Sequence, residues 1–153
     1  WANHFETVYT FEPDPVNYAC LVENLKGYEK ITSYNAALGA KEGSVGTQPH
    51  QPGHAGTMFV TEGGPMPMQT IDSLDLPECS LIWLDIEGYE ENALRGAWQT
   101  IERLHPAVII EENGNEKLHD LPANGASIWL KEQGYAVEAK FGHDVLYTYV
   151  GKC

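Results

Sequence analysis

The chain has 153 residues, 42% hydrophobic and 20% charged, which is enough apolar material for a single domain over residues 1–153 that needs no disulfide or metal staple. Nine Lys and Arg stand against 22 Asp and Glu, a formal charge of −13, so nucleic acid is excluded as a partner: phosphate backbones are held by clustered cations. The longest apolar runs, "AVII" and "SLIWL", are too short to span a bilayer. Cys20, Cys79 and Cys153 lack the CxxC spacing of a zinc or redox site, so a cytoplasmic, reducing setting is expected.

In chain order, "TVYTF" (7–11) is rich in β-branched and aromatic residues and reads as a strand. Asp14 and Pro15 then supply an N-cap and a first-turn proline for a helix over "VNYACLVENLKG", which Gly27 can end. "KITSYNAAL" (30–38) reads as the next strand. The Gly- and Pro-rich stretch that follows, to Met68, permits only short strands near Ser44–Thr47 and Thr57–Thr61 around a mobile loop from Gly46 to Gly56. That loop is where acceptor contacts are expected, because loops over strand ends set specificity.

"SLIWLDIEG" (80–88) has the pattern of a strand buried on both faces that ends on an acid. Apolar positions from Ala93 to Leu104 then repeat at helical spacing, so one helix is expected over 90–104, with Glu90 and Glu91 complementing its N-terminal dipole. "AVIIEEN" (107–113) repeats the strand-then-acid design, "ASIWLKEQGY" (126–135) reads as a helix, and "AVEAKF" and "DVLYTYV" flank a hairpin turn. Alternating strands and helices imply an α/β fold on a mostly parallel sheet with a C-terminal antiparallel hairpin.

In such sheets ligands sit outside the carboxyl ends of the strands, and three ends here carry acids that should line one rim: Glu12, Asp85 with Glu87, and Glu111 with Glu112. Glu12 either accepts from ribose hydroxyls, which a carboxylate can take in pairs, or caps the "PDP" turn. Asp85 and Glu87 could act as a general base, contact a ligand amine, hold a divalent ion or cap the next helix; no metal is assigned. Glu111 and Glu112 alternate in direction, so at most one faces the rim.

His50 and His54 fall in the Gly/Pro loop without helical context, His105 reads as a helix C-cap and His143 as a turn residue. Trp83, Trp98 and Trp129 fit core positions. The G-x-S-x-G elbow of serine hydrolases is absent.

"VYTFEPDPVNYACLVENL", "NAALGAKEG", "TIDSL" and "LIWLDIEGYEENALRGAWQTIERLHPAVIIEEN", in that order, resemble the FkbM-type methyltransferase family. The resemblance implies a Rossmann-like class I methyltransferase fold that uses S-adenosylmethionine, usually to methylate a hydroxyl of a sugar or small-molecule acceptor. It also implies that Glu12 binds the cofactor ribose, that Asn35 and Ala36 lie near the adenine, and that Asp85 faces the methionine moiety or acceptor, with Glu87 beside it. Catalysis is accordingly expected from Asp85 and Glu87.

Such proteins begin with a strand and a D-x-G-x-x-x-G turn, and this block is missing from the chain, whose first residue is Trp1. The first strand-helix unit is therefore expected to be lost to an incomplete gene, replaced by other strands, or supplied by a partner chain, which makes a homodimer an expectation. The alternative function is a non-catalytic methyltransferase-like binding module or truncated fragment.

Overall fold

The computed structural model describes residues 3–49 and 58–152, arranged in two compact units. The first takes Trp1–Leu38 with Glu42–Gln69, and the second Gly39–Lys41 with Thr70–Cys153.

In the first unit, β1 (Val8–Phe11) and β2 (Ile31–Tyr34) form a parallel pair in the register Val8↔Ile31 to Phe11↔Tyr34. Phe11 stacks on Tyr34 with ring centroids 4.9 Å apart, so the aromatic residues that favour extended backbone also bind the two strands together. Helix α1 (Pro15–Asn24) starts as expected: Asp14 Oδ1 accepts from Val16 N at 2.9 Å and Asn17 N at 3.0 Å, and Pro15 occupies the first turn. None of its residues is fully buried, and it is tied to β2 through Tyr18 Oη, which donates to Ser33 O at 3.2 Å.

The strand expected over 30–38 is interrupted. Asn35 and Ala36 separate β2 from β3 (Ala37–Leu38), which joins a different sheet. That sheet has the order β3-β6-β4-β5, where β4 is Gly43–Pro49, β5 Met58–Glu62 and β6 Met66–Gln69. Gly46 therefore lies within a strand, and residues 50–57, with His50 and His54, fall outside the described residues. The glycines of this segment serve a close approach: Gly64, at φ +152°, packs against the Gly46 backbone and Val45 O, where a Cβ has no room.

The second unit holds β7 (Leu81–Leu84), α2 (Glu90–Arg95), α3 (Trp98–Leu104), β8 (Ala107–Glu111), α4 (Gly125–Glu132), β9 (Tyr135–Phe141) and β10 (Asp144–Tyr149). Its sheet order is β7-β8-β10-β9, parallel between β7 and β8 and antiparallel at the other two pairings. The expectation of a mostly parallel sheet is thus corrected to mixed sheets, because β10 inserts between β8 and its own hairpin partner and because β4 runs antiparallel to both neighbours. The core of this unit is built from Leu84, Leu94, Ile101, Val108, Ile110, Leu130, Val145 and Tyr147, each about 1% exposed or less. Burying each contributes about 1.5–3 kcal/mol. Trp83 is 42% exposed, so β7 is not buried on both faces and this tryptophan is not in the core. Trp129 is buried, with its ring edge-on to Trp98.

The single helix expected over 90–104 breaks at Gly96 and Ala97. Gly96 presses against Gly39 O, and its carbonyl accepts from Asp72 N at 2.9 Å. Asp72 then caps the restarted helix: its Oδ2 accepts from Gln99 N at 2.9 Å, and its Oδ1 from Thr100 N and Thr100 Oγ1 at 2.8 Å each. A carboxylate 28 residues upstream supplies the cap that Ala97, the residue before α3, cannot. Replacing Asp72 by Ala should cost about 2 kcal/mol, the upper end for a lost cap, read as a lower urea midpoint at unchanged slope. A variant as stable as the parent would show that α3 does not depend on this cap.

Candidate functional site

The carboxyl ends of β7 and β8 bring acids together within the second unit. Leu84 is in register with Ile110, so Asp85, just past the end of β7, comes beside Glu111 at the end of β8. Their side chains are close enough to interact, by charge and by hydrogen bonding when one is protonated. Asp85 is exposed, whereas Glu87 and Glu111 are half-buried.

The chain after Asp85 is held tightly. Glu87 and Gly88 take successive left-handed conformations, φ 55° and 91°. For a glutamate this costs about 1–2 kcal/mol, so the surroundings must hold it in place. Glu90, 2% exposed, does so with one oxygen: its Oε1 accepts from Ile86 N at 3.1 Å and Gly88 N at 3.2 Å. On the other side, Gly88 lies against the backbone of Asn115 and Glu116, with no space for a Cβ.

The segment after β8 completes the arrangement. Asn113 Nδ2 donates to Glu111 Oε2, Asn115 N donates to Asn113 Oδ1 at 3.0 Å, and Asn115 Nδ2 donates to Glu87 Oε2. His119 Nε2 pairs with Glu87 O at 2.9 Å, and its ring meets Tyr89 edge-on. Two asparagines thus fix two carboxylates, and a 3₁₀ turn over Asn115–His119 carries the second of them.

Burial, and then the charges of Asp85 and Glu87, push Glu111 up to about 7, and its hydrogen bond to Asp85 acts in the same direction. Near neutral pH Glu111 is therefore poised to accept or release a proton without a large change in pH. Glu112 behaves oppositely. Burial raises its pKa, but Tyr147 Oη, donating to its Oε1 at 2.6 Å, and Lys140 outweigh this, so the net shift is downward. The two adjacent glutamates separate as the strand alternation requires, and only Glu111 joins the acids.

In the first unit, Glu12 closes β1. Its N–H donates to Tyr34 O at 3.1 Å and its Oε1 accepts from Asp14 N at 2.7 Å, so it does cap the turn. Among the described residues its other carboxylate oxygen takes no hydrogen bond. Burial raises its pKa, opposed by the Asp14 N–H and reinforced by the Asp14 charge. Asn35 Nδ2 donates to Glu12 O at 2.8 Å and Pro13 O at 3.1 Å, pinning the end of β2 to the turn after β1. The Ala36 side chain is buried, at 1% exposure.

His105 is the left-handed C-cap of α3 and stacks on Tyr149 at 3.7 Å, and His143 lies in the β9–β10 turn. Glu111 is one of the two β8 acids of which the sequence allows at most one at the rim, whereas Glu90, Asn113, Asn115 and His119 carry no such expectation. The left-handed demand at Gly88, two residues before a glutamate, was the local signal available for Glu90.

The Methyltransferase FkbM domain matches residues 3–137 of the chain. Comparison with curated proteins gives no match. Among solved structures, that of Methyltransferase FkbM from Methylobacillus flagellatus KT is similar, with a TM-score of 0.64 and 22% identity, covering 95% of this chain and 37% of that one. At this identity the likeness speaks for the fold alone. The chain spans little more than a third of that protein's length.

The raised pKa of Glu111 carries a stability consequence. Its folded value, about 7, lies above the usual carboxylate value of roughly 4, so its contribution is fully present below pH ~4 and is lost as pH rises through the folded value. Glu111→Gln keeps a neutral side chain throughout. Its melting temperature should therefore gain on that of the parent across this window, each kcal/mol being worth about 2–4 °C. Parallel melting curves against pH would contradict the assignment.

Proposed function

Because the chain belongs to the FkbM methyltransferase domain family, we propose that it acts with S-adenosylmethionine to methylate a hydroxyl of a small-molecule or saccharide acceptor. The observation that carries the oxygen-directed reading is the Asp85–Glu111 pair, because transfer to a hydroxyl leaves a proton to be taken up.

The residues of the first unit fit the cofactor. Glu12 is half-buried at the end of a parallel strand, with one oxygen committed to the turn and the other available to a ribose diol. Asn35 keeps its side-chain oxygen as an acceptor for the adenine amino group, since its nitrogen is committed to Glu12 O and Pro13 O. Ala36 would contribute backbone groups, its methyl being in the core. When bound, S-adenosylmethionine supplies an electrophilic methyl group on a positively charged sulfur.

The chain's own part in the chemistry is positioning and proton uptake. Asp85, exposed at the strand end, takes the proton of the acceptor hydroxyl. Glu111 stands beside Asp85 and, when protonated, can donate a hydrogen bond that orients it. Glu87, oriented by Asn115, offers its second oxygen to a neighbouring hydroxyl of the acceptor. The net charge of −13 favours uncharged or cationic acceptors.

Titration of S-adenosylhomocysteine into the folded chain tests the reading, with saturable binding expected. Glu12→Ala should weaken it about tenfold or more, the loss of hydrogen bonds to a charged group. Unchanged affinity would remove Glu12 from the ribose. In the methyl-transfer assay, Asp85→Asn should lower turnover about 10²–10⁴-fold while leaving S-adenosylhomocysteine affinity in place. An unaltered rate would remove Asp85 from proton transfer, and a folded chain that binds no cofactor would favour a non-catalytic module.

A further inference from the structure

Glu90 is the most buried carboxyl group of the second unit, and its Oε1 reaches back beyond the start of the helix it begins. The free donors at the start of α2 belong to the helix's own first turn, whereas Oε1 of Glu90 reaches back to Ile86 N and Gly88 N, upstream of the helix. Successive backbone N–H groups that converge in this way form a concave anion site, and here a side chain of the same chain fills it. Burial raises the pKa of Glu90, and the N–H groups of Glu90, Ile86 and Gly88 oppose the shift. Desolvating this carboxylate is therefore offset by its own N–H together with the two donors of the turn that precedes it.

We propose that Glu90 is a positioning residue: by gathering the N–H groups of Ile86 and Gly88 it sets the turn from which Asp85 meets Glu111 and Glu87 meets Asn115. Three features support this. The two bonded N–H groups flank Glu87, whose left-handed φ of 55° would otherwise relax. Gly88 is confined from the opposite side by the Asn115 backbone, so the turn is clamped between two elements. Both carboxylates that the turn presents meet the end of β8 or the segment after it, Asp85 at Glu111 and Glu87 at Asn115, which demands a fixed geometry on the β7 side. The effect on turnover rests on the proton-transfer role proposed for Asp85; the effect on the geometry of the turn does not.

Three substitutions separate charge from reach. Glu90→Gln keeps an acceptor oxygen at full length, Glu90→Asp keeps the charge but falls one methylene short, and Glu90→Ala loses both. The first readout is the protonation midpoint of Glu111, followed by carboxyl ¹³C NMR in the 153-residue chain. The midpoint should stay near about 7 in the parent and in Glu90→Gln, apart from a small fall from the lost charge, and should drop toward roughly 4 in Glu90→Ala and Glu90→Asp as Asp85 and Glu87 move away. If the alanine variant does not fold, the aspartate variant carries the test. The same midpoint in all variants, or a fall in Glu90→Gln as large as in Glu90→Asp, would overturn the proposal, since Glu90 would then act only as a charge or not at all.

The second readout is turnover. Glu90→Asp should lose about 10²-fold in kcat with unchanged affinity for S-adenosylhomocysteine, and Glu90→Gln should recover most of it. If the midpoints follow the expected pattern while Asp85→Asn leaves turnover unaltered, the proton-transfer reading fails and the positioning role stands.

Discussion

Two backbone N–H groups in the turn after β7, one part-buried and one buried, need an acceptor, and the buried Glu90 carboxylate provides it. Much of the second unit's chemistry depends on that solution. With Ile86 N and Gly88 N held, Glu87 stays left-handed, Gly88 fits against the Asn115 backbone, and Asp85 continues the line of β7 to stand beside Glu111. A looser turn would let the acids separate, because like charges gain by moving apart.

The neighbouring glutamates of β8 show how far position alone decides chemistry. Glu112 faces Tyr147 and Lys140, which favour its charged form, whereas Glu111 faces two further carboxylates, which favour its neutral form. One residue of strand alternation separates an ordinary ionised side chain from a carboxyl group that titrates near neutrality. In the first unit Glu12 divides its duties, one oxygen closing its own turn and the other lacking any hydrogen bond among the described residues.

What could be read from the sequence follows the range of the interactions. The cap of α1 was legible because Asp14 acts on residues two and three positions away, and the strand-end acids were legible because an apolar run stops at each. The break between α2 and α3 was not, since its causes are a cap from Asp72 and a close approach by Gly39, both distant in the chain. Trp83 reads as a core residue although it is exposed, because an apolar run does not reveal which faces of its strand are covered. Glu87 was noticed but not its orientation, which is set by Asn115 and His119 from beyond β8. Glu90 was read only through the helix dipole, because a sequence does not show a side chain turning back toward the residues before it.

The chain belongs to the FkbM methyltransferase domain family, and the central claim is that one proton is shared between Asp85 and Glu111. Neutron diffraction on deuterated crystals grown below the Glu111 midpoint of about 7 tests it most directly. A deuteron on Glu111 directed at Asp85 is the expected result. Two bare carboxylates separated by water would contradict it.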